Sequence, residues 1–281
     1  MNPADIRLSA LQARDLVQAK ELSDALGWPY RLEDWTFAHA LGEGLGLRHD
    51  NRLIGTGLRW IYGTQFATVG MIIVDAALRG HGLGARLVDG LLAGAGDRSV
   101  ILNATVDGLE LYRRRGFKSF DLTCQHQGMA TPVLAPDPAY RIERAQDVDW
   151  PALIELDEAA AGMPRGRLLN ALAGCGAVSV LRREDGTALG YAVCREFGRG
   201  HVIGPVVAPG VDEATALIAN SLSTLVDRFV RVNTSARSGL GSWLQEHGLV
   251  QVGTEEAMVR GALPETSPRA RIFSLCSNSL G

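Results

Sequence analysis

The second half of the chain repeats the pattern of the first half at an offset of 134 residues. Segment 140–156 aligns with segment 6–22, and identical residue types fall at matching positions. The matching pairs are Arg7 and Arg141, Gln12 and Gln146, Asp15 and Asp149, Glu21 and Glu155, and Leu22 and Leu156. Internal repetition means that one structural unit is used more than once. The sequence therefore predicts two copies of the same fold.

The break between the copies is marked by prolines. A chain of 281 residues is long enough for about two domains of roughly 150 residues each. Segment 131–139 carries three prolines, which neither a helix nor a central strand accommodates. We therefore predict a first domain at 1–130, a linker at 131–139 and a second domain at 140–281. The apolar tail 269–276 is expected to dock on one of the domains as a strand or a helix.

Strand-like and helix-like patterns alternate in the same order in both copies, which is typical of the α/β class with a mixed sheet. In the first copy we predict strands at 5–10, 44–49, 52–61, 66–75, 99–105 and 118–129, and helices at 13–26, 31–41, from 81 onwards, and 107–115. In the second copy we predict strands at 140–144, 177–183, 188–197, 201–207, 229–234 and 249–260, and helices at 149–160, 164–173, 212–227 and 238–247.

Segment 69–92 combines a strand, a glycine-rich turn and an amphipathic helix. The helix has apolar residues on one face, at Leu83, Leu87, Val88, Leu91 and Leu92. Unpaired N–H groups at a helix N-terminus attract an anion, and glycines let the backbone approach it closely. The segment therefore predicts a ligand that carries a pyrophosphate. The alternative is an ordinary tight turn before a helix.

The glycine spacing excludes two common nucleotide-binding loops. A dinucleotide fingerprint requires Gly-x-Gly-x-x-Gly and an acidic residue about 20 positions later. Here the glycines stand at 80, 82 and 84, and the residues that begin at 104 are Ala-Thr-Val. A Walker loop ends in Gly-Lys-Ser or Gly-Lys-Thr, and this loop has neither sequence.

The loop instead resembles the coenzyme A loop of the GNAT superfamily of acyl-CoA N-acyltransferases. Arg79, Gly82 and Gly84 match its signature, Arg/Gln-x-x-Gly-x-Gly/Ala. Segment 111–117, Leu-Tyr-Arg-Arg-Arg-Gly-Phe, follows Asn103 and is similar to the later Asn…Leu-Tyr-x-x-x-Gly-Phe motif of that superfamily. The resemblance implies two tandem GNAT-like domains, each with a mixed, mostly antiparallel sheet flanked by helices. It also implies acetyl transfer from acetyl-CoA to a primary amine, without a metal.

The resemblance also implies which residues act in the first copy. The expected contacts with the coenzyme are Ile72, Ile73, Val74, Arg79, Gly80, His81, Gly82, Leu83, Gly84, Asn103 and Tyr112. Two of these have a catalytic role: the backbone near Val74 donates to the developing oxyanion, and Tyr112 protonates the leaving thiolate. A phenol with a pKa of about 10 serves as a donor to sulfur while charge builds on it. The alternatives are a core aromatic at Tyr112 and a strand-end cap at Asn103.

The acceptor amine is expected near the first helices, where this superfamily builds its acceptor site. Aromatic faces attract cationic amines, although the same aromatic residues also fit ordinary core packing. The candidates for substrate contact are Trp28, Tyr30, Asp34 and Trp35, with Trp60 as a further aromatic candidate. The sequence leaves the general base open, since each candidate also fits a solvated surface residue. The candidates for the base are Asp24, Glu33, Asp34 and His39.

The second copy is predicted to have lost the coenzyme site. Its segment 209–214 reads Pro-Gly-Val-Asp-Glu-Ala at the place of the coenzyme loop. Asp212 and Glu213 would repel a pyrophosphate by about 1 kcal/mol in water at 4 Å, and by more in a drier site. Leu244 stands where the first copy has Tyr112. We therefore expect the second copy to be a partner or lid domain.

The whole chain resembles a group of bacterial tandem GNAT proteins with an active first domain and a degenerate second domain. The likeness is carried by Gly27-Trp28-Pro29-Tyr30-Arg31 with Asp34-Trp35, by Ile203-Gly204-Pro205, and by Met258-Val259-Arg260-Gly261. It implies little about the acceptor, so several activities remain open. The leading hypothesis is an N-acetyltransferase acting on a small-molecule amine. The alternatives are a longer acyl donor, a protein or peptide acceptor, and a regulatory module that binds acyl-CoA without turnover.

Composition bounds the partners and the compartment. The formal net charge is −3, which gives no indication of a nucleic-acid partner, and the run at 113–115 fits a solvated helix face or a phosphate contact. The four cysteines and six histidines show no metal-ligand spacing. The first residues form neither a signal peptide nor a membrane span. We therefore expect a cytoplasmic protein, monomeric or homodimeric, that contacts no membrane.

Overall fold

The computed structural model describes residues 5–133 and 140–281, so most of the proline-rich segment lies outside the described residues. The described chain forms two compact units. The first unit contains the chain up to Ser119 together with Met258–Ala262 and Leu280, and the second contains Phe120–Ala257, Leu263–Ser279 and Gly281. In the described part of the chain, no helix is long and apolar enough to span a membrane.

Strands and helices alternate along the chain as the hydrophobic patterns predicted, and the α/β class is confirmed. The elements from the first copy are β1 (Ile6–Ala10), α1 (Leu16–Ala25), α2 (Leu32–Leu41), β2 (Glu43–His49), β3 (Arg52–Tyr62), β4 (Phe66–Val74), α3 (Leu83–Ala95), β5 (Ser99–Ala104), α4 (Leu109–Arg113) and β6 (Lys118–Met129). The elements from the second copy are β7 (Arg141–Arg144), α5 (Trp150–Ala161), α6 (Gly166–Ala173), β8 (Gly176–Arg182), β9 (Ala188–Phe197), β10 (Gly200–Ala208), α7 (Val211–Ser223), β11 (Phe229–Ser235), α8 (Gly241–Glu246) and β12 (Val250–Arg260), followed by β13 (Arg271–Ser274) in the tail.

The sheet of the first unit is mixed and mostly antiparallel, as expected. Its strand order is β1-β2-β3-β4-β5, and each pair from β1 to β4 is antiparallel. Strands β4 and β5 are parallel, with Phe66–Thr68 opposite Ser99–Ile101. The described pairs between these two strands stop at Thr68, so the later half of β4 separates from β5.

A β-bulge on β4 accompanies this separation. Thr56 of β3 pairs with Ile73, but Leu58 pairs with Gly70, so two residues of β4 stand opposite one residue of β3. One of the two, Met71, has a φ of 50°, which is uncommon for a residue other than glycine. The Thr56 hydroxyl donates a hydrogen bond of 3.0 Å to the Met71 carbonyl and holds the bulge in place.

The helix predicted from the apolar stripe is α3, and it covers one face of this sheet. Its residues Leu87, Val88 and Leu91 are fully buried. The helix starts after Gly82 and ends before Gly96, and both glycines have positive φ values. The buried stripe therefore fixes the N-terminus of α3 directly after the glycine-rich turn.

The sequence repeat appears in the structure as a repeated capping arrangement. In both copies the backbone N–H of a glutamine donates to an aspartate three residues later, and an arginine of the following strand pairs with the same aspartate. These residues are Gln12, Asp15 and Arg48 in the first copy, and Gln146, Asp149 and Arg182 in the second. Gln and Asp therefore recur at the offset because they fix the first helix to the sheet.

The final strand of each copy lies in the unit built mainly from the other copy. Residues 123–129 of β6 pair antiparallel with β11 in the second unit. Met258, near the end of β12, packs in the first unit with Val69 and Leu102, and its neighbour Ala262 donates a backbone hydrogen bond of 2.9 Å to Ser99. The boundaries of the sequence repeat therefore differ from those of the compact units, because each copy contributes residues of its final strand to the other unit.

The second unit repeats the sheet and adds one strand. Its order is β6-β11-β10-β9-β8-β7, with β10 and β11 parallel, and β13 pairs with β10. Helix α7 packs on the sheet through Leu217, Ile218 and Leu222, all of which are fully buried. The predicted docking of the tail is thus realised by a strand of the second unit.

Candidate active site

The first unit contains a cavity of about 820 Å³ where β4 and β5 separate. Its walls are the last residues of β4, the glycine-rich loop, the turn after β5 and the helix α4. The residues that line it are Ala25, Leu26, Trp28, Ile72, Ile73, Val74, Ala76, Leu78, Arg79, Gly80, Gly82, Leu83, Gly84, Ala85, Thr105, Val106, Asp107, Gly108, Leu111 and Tyr112. Residues from both predicted motifs, among them Arg79, Gly82, Gly84 and Tyr112, therefore meet at this cavity.

The glycine-rich loop leaves open space in front of α3. Gly80 and Gly82 have φ values of 82° and 73°, which favour glycine, and no described atom lies within 4 Å of the position that a Cβ would take at either residue. Leu83 starts the helix directly afterwards. The backbone N–H groups of a helix N-terminus and this unfilled space together fit a phosphate group.

The end of β4 presents a backbone edge to the cavity. Ile73 and Val74 pair with Thr56 and Gly55 of β3 on one side. On the other side, the described pairs with β5 end at Thr68. The cavity-facing edge of residues 72–74 thus has the geometry of an added-strand site, which suits an amide-containing arm and an oxyanion.

Tyr112 lies on α4 with its ring held in the core beside the cavity. The side chain is 8% exposed and packs with Leu102 and Ala104. The Phe117 ring meets it edge-on, with the ring centroids 5.8 Å apart and an interplanar angle of 67°. The ring therefore packs in the core, as in the alternative of a core aromatic residue. Tyr112 also lines the cavity, as a proton donor would have to do.

An ion pair joins two residues of the cavity wall. Nη1 of Arg79 lies 3.5 Å from a carboxylate oxygen of Asp107, which follows β5. Both side chains are largely exposed, and an exposed pair of this kind contributes about 0–1 kcal/mol. An incoming phosphate can therefore compete for the Arg79 guanidinium at small cost.

Other predicted coenzyme contacts lie outside the cavity wall. His81 is exposed, and its Nδ1 lies 2.9 Å from the Arg79 carbonyl oxygen. Asn103 is half-buried on β5. In the arginine run, Arg114 pairs with Glu110 and Arg115 pairs with Asp89. Arg114 is exposed and fits the solvated helix face that was one of the two interpretations of this run, whereas Arg115 is largely buried in its ion pair.

Of the aromatic acceptor candidates, the structure brings Trp28 to the cavity. Trp28 is half-buried and meets Tyr30 edge-on at 6.2 Å, and Tyr30 meets Trp35 in the same way. Trp35 is completely buried, and its indole N–H donates to the Ser23 hydroxyl at 3.2 Å. Trp60 is buried as well, with its N–H donating to the Ala38 carbonyl.

The polar acceptor candidates are engaged elsewhere in the first unit. Asp34 is buried and accepts hydrogen bonds from the Arg31 backbone at 2.9 Å and from the Arg31 guanidinium. Nε2 of His39 lies 3.0 Å from the Leu11 carbonyl, and Asp24 pairs with Lys20. Glu33 is exposed. None of these four residues lines the cavity.

Some residues that line the cavity were missed by sequence reasoning. Ala25 and Leu26 come from the C-terminal end of α1, whose proximity to β4 is a long-range feature. Asp107, Gly108 and Leu111 come from the segment that carries Tyr112. The signal for these three was available, since they lie within five residues of the tyrosine on the same turn and helix.

In the second unit, strand β13 pairs with the strand edge that corresponds to the cavity-facing edge of β4. Counting 134 residues on from Ile72–Val74 gives Val206–Ala208 of β10, and these residues pair with β13. The Leu275 N–H donates to the Asn233 carbonyl of β11 at 2.8 Å, and the Ser274 hydroxyl donates to the Ile203 carbonyl at 2.7 Å. The backbone edge that faces a cavity in the first unit is therefore satisfied by the chain itself.

The turn before α7 also differs from the glycine-rich loop. A Cβ placed at Gly210 would lie 2.7 Å from the carboxylate of Glu213, so this carboxylate covers the start of the helix. Asp212 and Glu213 both stand in the first turn, where negative charge is favourable. Leu244, in the place of Tyr112, is fully buried. These features agree with the expected loss of a coenzyme site in the second copy.

Comparisons with known proteins place both copies in one superfamily. A family model described as "Acetyltransferase (GNAT) family" matches residues 11–117, and one described as "Acetyltransferase (GNAT) domain" matches residues 153–274. The chain belongs to the GNAT superfamily and carries two GNAT domains in tandem. The resemblance inferred from the two motifs is thereby confirmed.

Individual relatives share limited identity with the chain. It is 27% identical over 157 residues to the uncharacterized N-acetyltransferase YitH of Bacillus subtilis, a match that spans 55% of each chain. It is 26% identical over 225 residues to the holothin acyltransferase of a Pseudoalteromonas species, covering 78% of this chain and 75% of the relative. A candidate acetyltransferase from Pyrococcus horikoshii shares the fold over 100% of this chain and 98% of its own, with a TM-score of 0.82 and 18% identity.

The described residues hold no cluster of three or more histidine, cysteine, aspartate or glutamate side chains that could bind a metal ion.

Proposed function

We propose that the first unit transfers an acetyl group from acetyl-CoA directly to the primary amine of a small molecule. The observation that carries the proposal is the cavity of about 820 Å³ between β4 and β5. It brings together an open helix N-terminus, an unpaired backbone edge and a tyrosine, which suit the pyrophosphate, the pantetheine arm and the leaving thiolate of such a substrate.

Each part of the cavity has a role in the proposed reaction. The loop from Arg79 to Gly84 binds the pyrophosphate, and residues 72–74 of β4 orient the arm that ends in the thioester. A neutral amine attacks the thioester carbonyl, and backbone N–H groups of β4 stabilise the oxyanion by about 3 kcal/mol each. The attacking nitrogen then loses a proton to solvent, the carbon–sulfur bond breaks, and the Tyr112 hydroxyl donates a proton to sulfur and regains one from solvent.

The choice of a small-molecule acceptor is supported by one relative. The Pseudoalteromonas protein that aligns over 78% of this chain is named for the acylation of holothin. Trp28, half-buried at the cavity, offers an aromatic wall that can hold a cationic or aromatic amine. A protein or peptide acceptor remains the alternative that an acceptor panel has to compare directly.

The test is thiol release from acetyl-CoA in the presence of a panel of amines, together with two variants. Tyr112→Phe is expected to lower kcat by about 100-fold or more with little change in acetyl-CoA affinity, since the variant lacks only the proton donor. Tyr62→Phe is the matched control. It removes a buried phenol hydroxyl of the same unit, which donates to the Leu280 carbonyl, and should leave kcat unchanged.

Gly82→Glu tests the loop. A carboxylate placed in the open space before α3 repels the pyrophosphate, so acetyl-CoA binding is expected to be lost. Gly186→Glu is the control, because Gly186 also has a positive φ, 85°, no described atom lies within 4 Å of its Cβ position, and it does not line the cavity. Retained binding in Gly82→Glu would refute the loop assignment. Binding of acetyl-CoA without thiol release across the whole panel would favour the regulatory module instead.

A further inference from the structure

Gly108 leaves the space that the Tyr112 ring occupies. A Cβ placed at Gly108 would lie 2.7 Å from Cε2, 3.4 Å from Cζ and 3.5 Å from Cδ2 of Tyr112. A carbon–carbon contact of 2.7 Å is far below the usual van der Waals separation of about 3.5–4.0 Å. The hydroxyl-bearing end of the ring therefore lies where any other residue at 108 would put its side chain.

A second aromatic residue also confines the Tyr112 ring. Phe117 meets Tyr112 edge-on with the centroids 5.8 Å apart, and the Phe117 N–H donates to the Tyr112 carbonyl at 3.2 Å. The tyrosine side chain is only 8% exposed. The ring is thus confined both by the Gly108 backbone and by the Phe117 ring.

Backbone conformation does not account for a glycine at this position. Gly108 has a φ of −90° and a ψ of −17°, in the right-handed helical region that every L-residue adopts. It directly precedes α4 as its N-cap residue, and no side chain caps the helix there. Glycine's ability to adopt positive φ values is not used at this position. What matters at 108 is the space left by the missing side chain.

We infer that Gly108 is a positioning residue, which sets the place of the Tyr112 hydroxyl by leaving room for the ring. The inference rests on the proposed function, in which that hydroxyl protonates the leaving thiolate. A proton donor has to come within about 2.6–3.2 Å of its acceptor, and a misplacement of about 1 Å can cost roughly 100-fold in rate. A side chain at 108 would push the ring by a distance of this order.

The test is Gly108→Ala, compared with Tyr112→Phe and with the double variant. In Gly108→Ala the single-turnover rate of acetyl transfer is expected to fall about 10- to 100-fold, with the Kd for acetyl-CoA within about twofold of the parent value. In the Tyr112→Phe background the same substitution should have no further effect on the rate, because no hydroxyl is left to misplace.

Gly174→Ala is the matched control. Gly174 follows α6 in the same backbone region, with a φ of −73°, and the nearest contact of a Cβ there would be the Ala171 carbonyl oxygen at 3.4 Å. Its rate should equal that of the parent. A second variant, Phe117→Leu, removes the aromatic ring that packs edge-on against Tyr112. It should also lower the rate when Tyr112 is present, but not in the Tyr112→Phe background.

Two results would overturn the inference. One is an unchanged rate in Gly108→Ala, and the other is an equal fall in rate with and without the Tyr112 hydroxyl, which indicates a purely structural effect. If Tyr112→Phe alone leaves the rate unchanged, the proposed role of Tyr112 fails first. If Tyr112→Phe lowers the single-turnover rate while Gly108→Ala keeps the parent rate, only the role of Gly108 is refuted.

Discussion

Glycines at the cavity of the first unit and beside β13 in the second unit are needed for three different physical reasons. Gly80 and Gly82 have positive φ values and leave space before α3. Gly108 has an ordinary backbone and leaves space for an aromatic ring. Gly204 allows another backbone to approach, since a Cβ there would lie 2.0 Å from the Leu275 carbonyl oxygen. A single sequence shows that these positions are glycine, and only the structure shows what each glycine makes possible.

A buried ion pair in the second unit predicts a large effect on stability. Arg165 and Asp157 are 1% and 2% exposed, and two hydrogen bonds of 3.0 and 2.7 Å join them. The Tyr191 hydroxyl donates to the same carboxylate, and burial raises the pKa of this phenol. Asp157→Asn leaves the guanidinium buried without a counter-charge and should lower the free energy of unfolding by about 3–5 kcal/mol.

Urea denaturation measures this loss. The control is Asp24→Asn, which removes the charge from an exposed pair with Lys20 on α1 and should cost about 0.5 kcal/mol or less. Equal effects in the two variants would show that burial of the Arg165 pair does not matter for stability.

At the scale of elements, hydrophobic periodicity predicted the strands and helices well, and it was least accurate at helix ends. The predicted helix 212–227 ends at Ser223. The Ser223 and Thr224 hydroxyls donate to carbonyls three residues earlier, a local bond that competes with helix continuation. Likewise the predicted helix 238–247 is reduced to α8, Gly241–Glu246.

The pairing of strands was beyond the sequence argument. Periodicity reports which side of a strand is buried, but not which strand lies beside it. The bulge at Met71 and the separation of β4 from β5 depend on such pairing. The same holds for β13, whose apolar residues predicted docking without indicating a place.

The insertion of β13 predicts that Gly204 is required for the stability of the second unit. Gly204→Ala would force a Cβ against the carbonyl group of Leu275. The backbones of residues 204 and 275 have little freedom to move apart. The expected cost is about 1–3 kcal/mol in the free energy of unfolding, with faster amide exchange at residues 206–208. Gly253→Ala, where no described atom lies within 4 Å of the new Cβ, is the control. An unchanged stability and exchange rate would contradict the assigned contact.

In the molecule as a whole, the repeat produces two copies of one fold, but the two copies do not have equivalent ligand sites. The residues that differ most are the ones that would meet a ligand: Gly82 in the first unit is open, whereas Gly210 in the second is covered by Glu213. The exchange of final strands adds a further difference from a simple repeat, because Met258 completes the core of the first unit.

The coenzyme side of the candidate site was more predictable than the acceptor side. The loop 79–84 and Tyr112 lie in short segments whose residues are neighbours in sequence and in space. The acceptor candidates came from the first two helices, where the same aromatic residues also build the core. Of Trp28, Tyr30, Asp34 and Trp35, the structure brings only Trp28 to the described cavity wall.

We propose that the first unit alone carries an open acyl-CoA site, since β13 pairs with the corresponding strand edge in the second unit. Isothermal titration of the full chain with acetyl-CoA tests this proposal. We expect one binding site per chain, which is lost in Gly82→Glu and retained in Gly186→Glu. Two sites per chain, or a single site that survives Gly82→Glu, would contradict it.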